Sequence, residues 1–277
     1  MLKTIKSFFV IATCSFLVYA CGNTKSEDMD DTFSDDTNTS TLDSQKISAQ
    51  NVFNAIPART EIINLTQGAN AEYNPMILNN PDDASKYLLE SSRALNLGVY
   101  GTDLNVTSVF EQTQESITFF KSVSSISKSL GLSNCFDEKM GDRMEANKDN
   151  RDSTLEIISQ SFRNADTYLK ANGRPGTSSL IIAGAWIEGL YIACNTAKET
   201  KNEGIVRKIW EQGESLKYLV ELIEASQLPK EAEYLLPDLK TLKAVFDSKT
   251  SAANTLESLK DIDSKITAIR TKVISTK

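Results

Sequence analysis

The chain has 277 residues, of which 40% are hydrophobic and 24% charged, a composition typical of a globular protein long enough to bury a sizeable core. It contains no histidine, which excludes Ser-His-Asp and Cys-His catalysis and histidine-ligated zinc sites. The formal net charge of −7 gives no sign of the basic face that nucleic-acid binding needs. We therefore predict no metal, no cofactor and no nucleic-acid partner, and carboxylates, tyrosines and lysines remain as possible chemistry.

Residues 1–20 have the parts of a secretory signal peptide, because two lysines precede a short apolar run that ends in alanine. The run is shorter than the roughly 20 apolar residues that cross a bilayer comfortably. The stretch Val18-Tyr19-Ala20-Cys21 resembles the bacterial lipobox, in which cleavage exposes a cysteine that is then acylated. We predict that Cys21 is lipidated. A plain signal peptide and an uncleaved anchor are the alternatives.

Residues 21–45 begin with Cys21 and continue as an acidic segment with seven carboxylates against one lysine. Such a segment cannot bury enough apolar surface to offset its ordering entropy, which predicts a disordered tether. Lys25-Ser26-Glu27-Asp28 also resembles the short signal that directs lipoproteins of Bacteroidetes-type bacteria to the outer face of the outer membrane. A spacer without any role in export is the alternative. We expect an outer-membrane protein that is held by acyl chains and faces the cell exterior.

Residues 46–277 show helical periodicity nearly throughout and are predicted to form one helical domain. The Asn80-Pro81 pair predicts a helix start, with Asn80 as the cap. Apolar residues recur at steps of three and four within 119–130, 152–171, 205–223, 235–246 and 259–273. No sustained alternation of apolar and polar residues is present. We predict an all-α, multi-helix bundle of about eight helices.

Two segments depart from simple amphipathic patterns. LNLGVYGTDLN (95–105) contains Gly98 and Gly101, and LIIAGAWIEGLYIAC (180–194) is apolar on every side. A helix that is apolar all round is normally the centre of a bundle, which predicts a central helix near 177–198. The glycines are expected to let neighbouring helices approach closely. The run 180–194 is shorter than a membrane span requires.

Four stretches, in this order behind the lipobox, resemble a family of all-helical lipoproteins of Bacteroidetes-type bacteria. They are FNAIP (53–57), LNLGVYGTDLN, EQTQE (111–115) and GAWIEGLYIA (184–193). The similarity covers roughly residues 50 to 200 and is carried by short motifs. It implies a helical fold and an envelope location, and it implies no activity.

Glu188 is the most informative single residue, because its helical neighbours are apolar. A buried carboxylate must be paired, hydrogen-bonded or protonated. One hypothesis is a structural partner, either a tyrosine hydroxyl or an arginine such as Arg93, Arg143 or Arg163. The functional hypothesis is a ligand pocket. Its candidate binding residues are Tyr100, Asp103, Trp186, Glu188 and Tyr191.

Two further features are the pairing of two cysteines and a possible calcium site. Cys135 and Cys194 could pair in an oxidising compartment, but their apolar neighbours favour free thiols. The acidic segment 145–152 lacks the glycine and the terminal glutamate of an EF-hand loop, so we do not expect calcium there.

These features predict a non-enzymatic lipoprotein that binds a small ligand or a partner protein of the envelope, with no catalytic residue assigned. A carboxylate-dependent hydrolase is the first alternative, because such an enzyme needs two carboxylates in a cleft and no histidine. A purely structural envelope protein is the second alternative.

Overall fold

The computed structural model describes residues 71–248 and 255–277, and in these ranges the chain is entirely helix and connecting loop. The predicted all-α class is therefore confirmed. The predicted signal peptide, Cys21, the acidic tether and residues 46–70 of the predicted helical domain lie outside the described residues.

Eight α-helices are found in the described ranges. They are α1 (Glu90–Val109), α2 (Thr113–Ser129), α3 (Glu138–Ala146), α4 (Arg151–Ala171), α5 (Pro175–Thr200), α6 (Glu203–Ala225), α7 (Leu235–Asp247) and α8 (Lys260–Ser275). Short 3-10 helices cover Pro75–Ile77, Pro81–Lys86, Lys230–Ala232 and Leu256–Leu259. Each helix that the apolar spacing predicts is present, and the predicted and observed ends differ by at most six residues.

Helix α5 is the centre of the bundle and packs against α1, α4, α6 and α8. It begins with Pro175 at its first position, which suits proline because that N–H has no helical partner. The central apolar helix near 177–198 is thus confirmed. The whole helix of 26 residues is long and apolar enough to cross a membrane by length and composition, although the apolar run 180–194 within it is shorter than a span. Inside the protein, however, 83% of its most apolar window is buried, as in the core helix of a globular domain.

Two glycines allow α1 and α5 to touch through their backbones. A Cβ atom on Gly98 would lie 2.1 Å from the carbonyl oxygen of Ile181, and a Cβ on Gly184 would lie 1.9 Å from that of Leu95. No side chain fits at either position without moving one helix away from the other. The predicted close approach is confirmed at this crossing.

The segment before α1 runs along α2 and contributes Leu78, Asn79 and Tyr87 to the buried interior. Asn80 caps the 3-10 helix Pro81–Lys86 and accepts a hydrogen bond from the Asp82 N–H at 3.1 Å, so the predicted helix start is confirmed. The adjoining Asn79 is only 7% exposed. The turn therefore places a polar side chain from the segment before α1 among the helices.

Candidate functional site

The crossing of α1 and α5 places two carboxylates in the core. Asp103 lies five residues after Gly98 on α1, and Glu188 lies four residues after Gly184 on α5. Both side chains are completely buried. The close contact of the helices is thus what allows two acids from distant parts of the sequence to share one enclosed space.

Arg270 on α8 supplies the cation for these acids. Its Nε donates to Glu188 Oε2 at 2.6 Å, and its Nη2 donates to Glu188 Oε1 at 2.8 Å. This two-pronged geometry is the strongest form of an arginine–carboxylate pair. Arg270 is itself 8% exposed, so water screens the pair little.

Asn79 completes the hydrogen bonding. Arg270 Nη2 also donates to Asn79 Oδ1 at 2.9 Å and to the Ile77 carbonyl at 3.2 Å. The Asn79 backbone N–H donates to Asp103 Oδ2 at 3.2 Å. We call Asn79, Asp103, Glu188 and Arg270 the core cluster. It joins the segment before α1 to α1, α5 and α8.

Burial and charge raise the pKa of both carboxyl groups in the core cluster. Burial raises the pKa of Asp103 well above its ordinary value, the negative charge of Glu188 raises it further, and Arg270 opposes both effects. Burial also raises the pKa of Glu188, against the charge and hydrogen bonds of Arg270. Asp103 Oδ2 accepts from the Asn79 N–H, and Asp103 Oδ1 has no hydrogen-bond partner among the described residues. These directions favour a protonated Asp103 beside an ionised Glu188 that is paired with Arg270, an arrangement in which the cluster carries no net charge.

The other three predicted residues lie at different distances from the cluster. Tyr191 stacks on it, with the Arg270 guanidinium carbon 4.2 Å from the centre of the Tyr191 ring. The Tyr100 hydroxyl donates to the Asn80 carbonyl at 2.7 Å, beside the cluster. Trp186 is buried in the core, and no hydrogen bond among the described residues joins it to the cluster.

The arginines predicted as partners of Glu188 are engaged elsewhere or stand apart. Arg93 donates to the Tyr87 carbonyl at 2.9 Å, Arg163 pairs with Glu156, and Arg143 makes no described contact with Glu188. The partner is Arg270, which the sequence analysis missed. The signal was present, because Arg270 lies four residues after Ile266 within the apolar stripe of α8.

The core cluster has one property of a catalytic carboxylate pair and lacks another. A protonated acid beside an ionised one is what glycoside hydrolysis uses. A substrate must also reach both groups, and neither carboxylate has any exposed surface. The arrangement therefore holds four segments of the chain together rather than presenting acids to a ligand.

An open cleft of about 400 Å³ lies between α2, α3 and the start of α4. Ile117, Phe120 and Met144 give it an apolar lining, and charged side chains stand around its rim. None of the five predicted binding residues lines it. The sequence analysis missed this site because its lining comes from three helices, each of which shows only an ordinary amphipathic pattern.

Cys135 and Cys194 are free thiols, as the sequence favoured. Burial raises the pKa of both, and the charge of Asp137 adds to the shift at Cys135. In residues 71–248 and 255–277, no group of three or more Cys, Asp or Glu side chains is placed to hold a metal ion.

No protein-family model, no curated protein and no solved structure matches the chain. The resemblance to helical lipoproteins of Bacteroidetes-type bacteria therefore stays an expectation. What the protein does has to follow from its own residues.

Proposed function

We propose that this protein is a lipid-anchored envelope protein whose helical domain binds a small ligand without catalysing a reaction. The anchor is Cys21, acylated after removal of residues 1–20, and the protein faces the exterior of the outer membrane. The lipobox-like stretch and the acidic tether support this location. Stable attachment takes two lipid signals, and a processed lipobox cysteine carries more than one chain.

The observation that supports binding over hydrolysis is the separation of the buried acids from the open space. Asp103 and Glu188, two carboxylates whose pKa values are raised by burial, are enclosed with Arg270. The cleft between α2, α3 and α4 is open and has a largely apolar lining, as small-molecule sites do. A partner protein of the envelope and a purely structural role are the alternatives that the experiments below separate.

The anchor is tested by the intact mass and the fractionation of the full chain, expressed in a bacterium that processes lipoproteins. We expect a mature chain that begins at Cys21, carries acyl chains and sediments with membranes. The Cys21→Ser variant should move to the soluble fraction, and the matched Cys14→Ser variant should not. A mature chain that begins elsewhere without acyl mass would contradict the anchor.

Hydrolysis is tested with a panel of 4-nitrophenyl glycosides. We expect the wild type to release no more nitrophenol than the Asp103→Asn variant, because substrate cannot reach the core cluster. Nitrophenol release by the wild type that is lost in Asp103→Asn, in a variant that still folds, would favour the hydrolase. Binding of small ligands in the cleft, tested below, separates the proposed function from a purely structural role.

A further inference from the structure

The cleft between α2, α3 and α4 has the size and lining of a small-molecule site. Its volume of about 400 Å³ falls within the roughly 300–1,000 Å³ of such sites. Phe120, Met144 and Ile117 line it; Met144 is buried, and Ile117 has 36% of its surface exposed. An apolar group of a ligand would cover these side chains.

Two buried hydroxyls from the end of α1 and the start of α2 line the cleft, and both give their hydrogen to the protein. The Ser108 hydroxyl donates to the Leu104 carbonyl at 2.8 Å. Ser116 Oγ lies 3.0 Å from Thr107 Oγ1, and Thr107 gives its own hydrogen to the Leu104 carbonyl. Ser116 must therefore be the donor of that bond.

A third buried hydroxyl, on α4, also gives its hydrogen to the protein. Thr154 donates to the Asn147 carbonyl at 3.0 Å. Ser108, Ser116 and Thr154 are each more than nine-tenths buried. A hydroxyl has one hydrogen and two lone pairs, so these three can only accept a hydrogen bond from a ligand.

The charged side chains around the opening also favour a ligand that donates hydrogen bonds. Glu111, Glu138 and Asp142 line the cleft and have no ion-pair partner among the described residues. Glu145 is already paired with Lys148 at 2.8 Å. Of the cations in the lining, Arg151 and Lys148 are engaged, and Lys121 has no ion pair in the described part of the chain. Unpaired negative charge therefore exceeds unpaired positive charge around the opening.

We propose that this cleft binds a small organic ammonium compound, with its apolar body on Phe120 and Met144 and its N–H groups directed to the hydroxyls and the rim carboxylates. An ammonium donates hydrogen bonds and accepts none, which matches a lining whose buried hydroxyls only accept. An anion of the same shape would face acceptors and three carboxylates without an ion pair, against Lys121 as the lining cation without one among the described residues. The proposal rests on the proposed function as a binding protein and adds the chemical class of the ligand.

The test is calorimetric titration of the full, detergent-solubilised chain with 2-phenylethylammonium, and with 3-phenylpropanoate as the charge-reversed control. We expect the ammonium to bind at least about tenfold more tightly than the carboxylate. Equal binding of the two probes, or no saturable binding of the ammonium up to about 10 mM, would overturn the proposal.

Matched variants locate the site. Glu138→Gln/Asp142→Asn should weaken binding of 2-phenylethylammonium at least about fivefold, since it removes two rim charges without changing shape. Glu214→Gln/Glu221→Gln on α6 removes two exposed acids that also lack an ion pair among the described residues, and should bind as the wild type does. Unchanged binding in the first variant would overturn the proposed site.

Different experimental results would overturn the ligand class and the proposed function. Saturable binding of 3-phenylpropanoate that Glu138→Gln/Asp142→Asn improves would overturn the ammonium and leave a binding protein. Absence of binding for both probes would overturn the ligand class, and turnover of glycosides by the wild type would overturn non-enzymatic binding.

Discussion

Arg270 and Glu188 meet in the core through two hydrogen bonds of 2.6 and 2.8 Å, although 82 residues separate them in the sequence. The same guanidinium reaches Asn79, and Asn79 reaches Asp103. One arginine on α8 thereby links the segment before α1 to α1 and α5, the two central helices of the bundle. The stability of the bundle should depend on this residue more than on any surface ion pair.

Arg270→Met should destabilise the protein by about 3–5 kcal/mol, because it leaves the Glu188 carboxylate buried without its cation. The measurement is the free energy of unfolding in urea. Lys272→Met on the same helix is the matched control, since Lys272 pairs with Asp238 at the surface and exposed pairs contribute about 0–1 kcal/mol. Equal losses in the two variants would contradict the structural role of the core cluster.

Asp103→Asn should be tolerated at neutral pH, within about 1 kcal/mol of the wild type. The amide NH₂ can donate to Glu188 as a protonated acid would, and the amide oxygen can accept from the Asn79 N–H. Asp103→Leu is the comparison, and it should cost more because it leaves that N–H without a partner. Urea unfolding of both variants at pH 7 checks this, and a large loss in Asp103→Asn would show that Asp103 is ionised.

The same variant predicts a pH dependence. The folded-state pKa of Asp103 is raised above its unfolded value, by burial first and by the Glu188 charge second, while Arg270 opposes the shift. A raised pKa stabilises the fold below the unfolded pKa, and this stabilisation is lost as pH rises through the folded pKa. From about pH 4 upward, the free energy of unfolding of the wild type should therefore fall relative to that of Asp103→Asn. The fall should be up to about 1.4 kcal/mol per pH unit. A difference that stays constant between about pH 4 and 6 would contradict a protonated Asp103.

Tyr191→Leu should destabilise the protein by about 1–2 kcal/mol, because the Tyr191 ring covers the partly desolvated guanidinium of Arg270. Tyr191→Phe keeps the ring and should stay close to the wild type. Urea unfolding at pH 7 gives both values. If the two variants lost the same amount, the hydroxyl rather than the ring would carry the interaction.

Gly184→Ala should destabilise the protein by about 2 kcal/mol or more, despite the better helix propensity of alanine. The added methyl would meet the Leu95 carbonyl, so α1 and α5 must separate and disturb the core cluster. Gly213→Ala on α6 is the control, because its methyl would lie 3.3 Å from a ring carbon of Phe246 and can be accommodated by a small shift. Thermal unfolding of both variants is the measurement, and a neutral Gly184→Ala would contradict the backbone contact.

The sequence predicted those features that depend on local spacing. The steps of three and four between apolar residues locate the helices, and the glycines in the two unusual segments predict close helix packing, which the structure shows where Gly98 and Gly184 meet the facing helix. Glu188 could be identified as a buried acid because its own helical neighbours are apolar. Its partner was missed: the position of Arg270 in the apolar stripe of α8 indicates a buried arginine, but spacing within α8 does not show which helix that arginine faces.

The sequence could not predict the cleft, because its lining also comes together only in three dimensions. Ser116, Gly141 and Thr154 belong to three helices, and each is unremarkable within its own pattern. What makes them a site is the angle at which the helices meet and the direction in which each hydroxyl donates. Neither quantity has a signature in a single amphipathic segment.

Of the four members of the core cluster, Arg270 is the last that a ribosome adds. Until α8 reaches the core, α1 and α5 cannot close over two acids at neutral pH without burying an unmatched negative charge. Nascent chains that lack α8 should therefore remain open instead of collapsing into a stable partial fold. Such late closure suits a polypeptide that must be threaded through a membrane before it folds, as the export predicted from residues 1–20 requires.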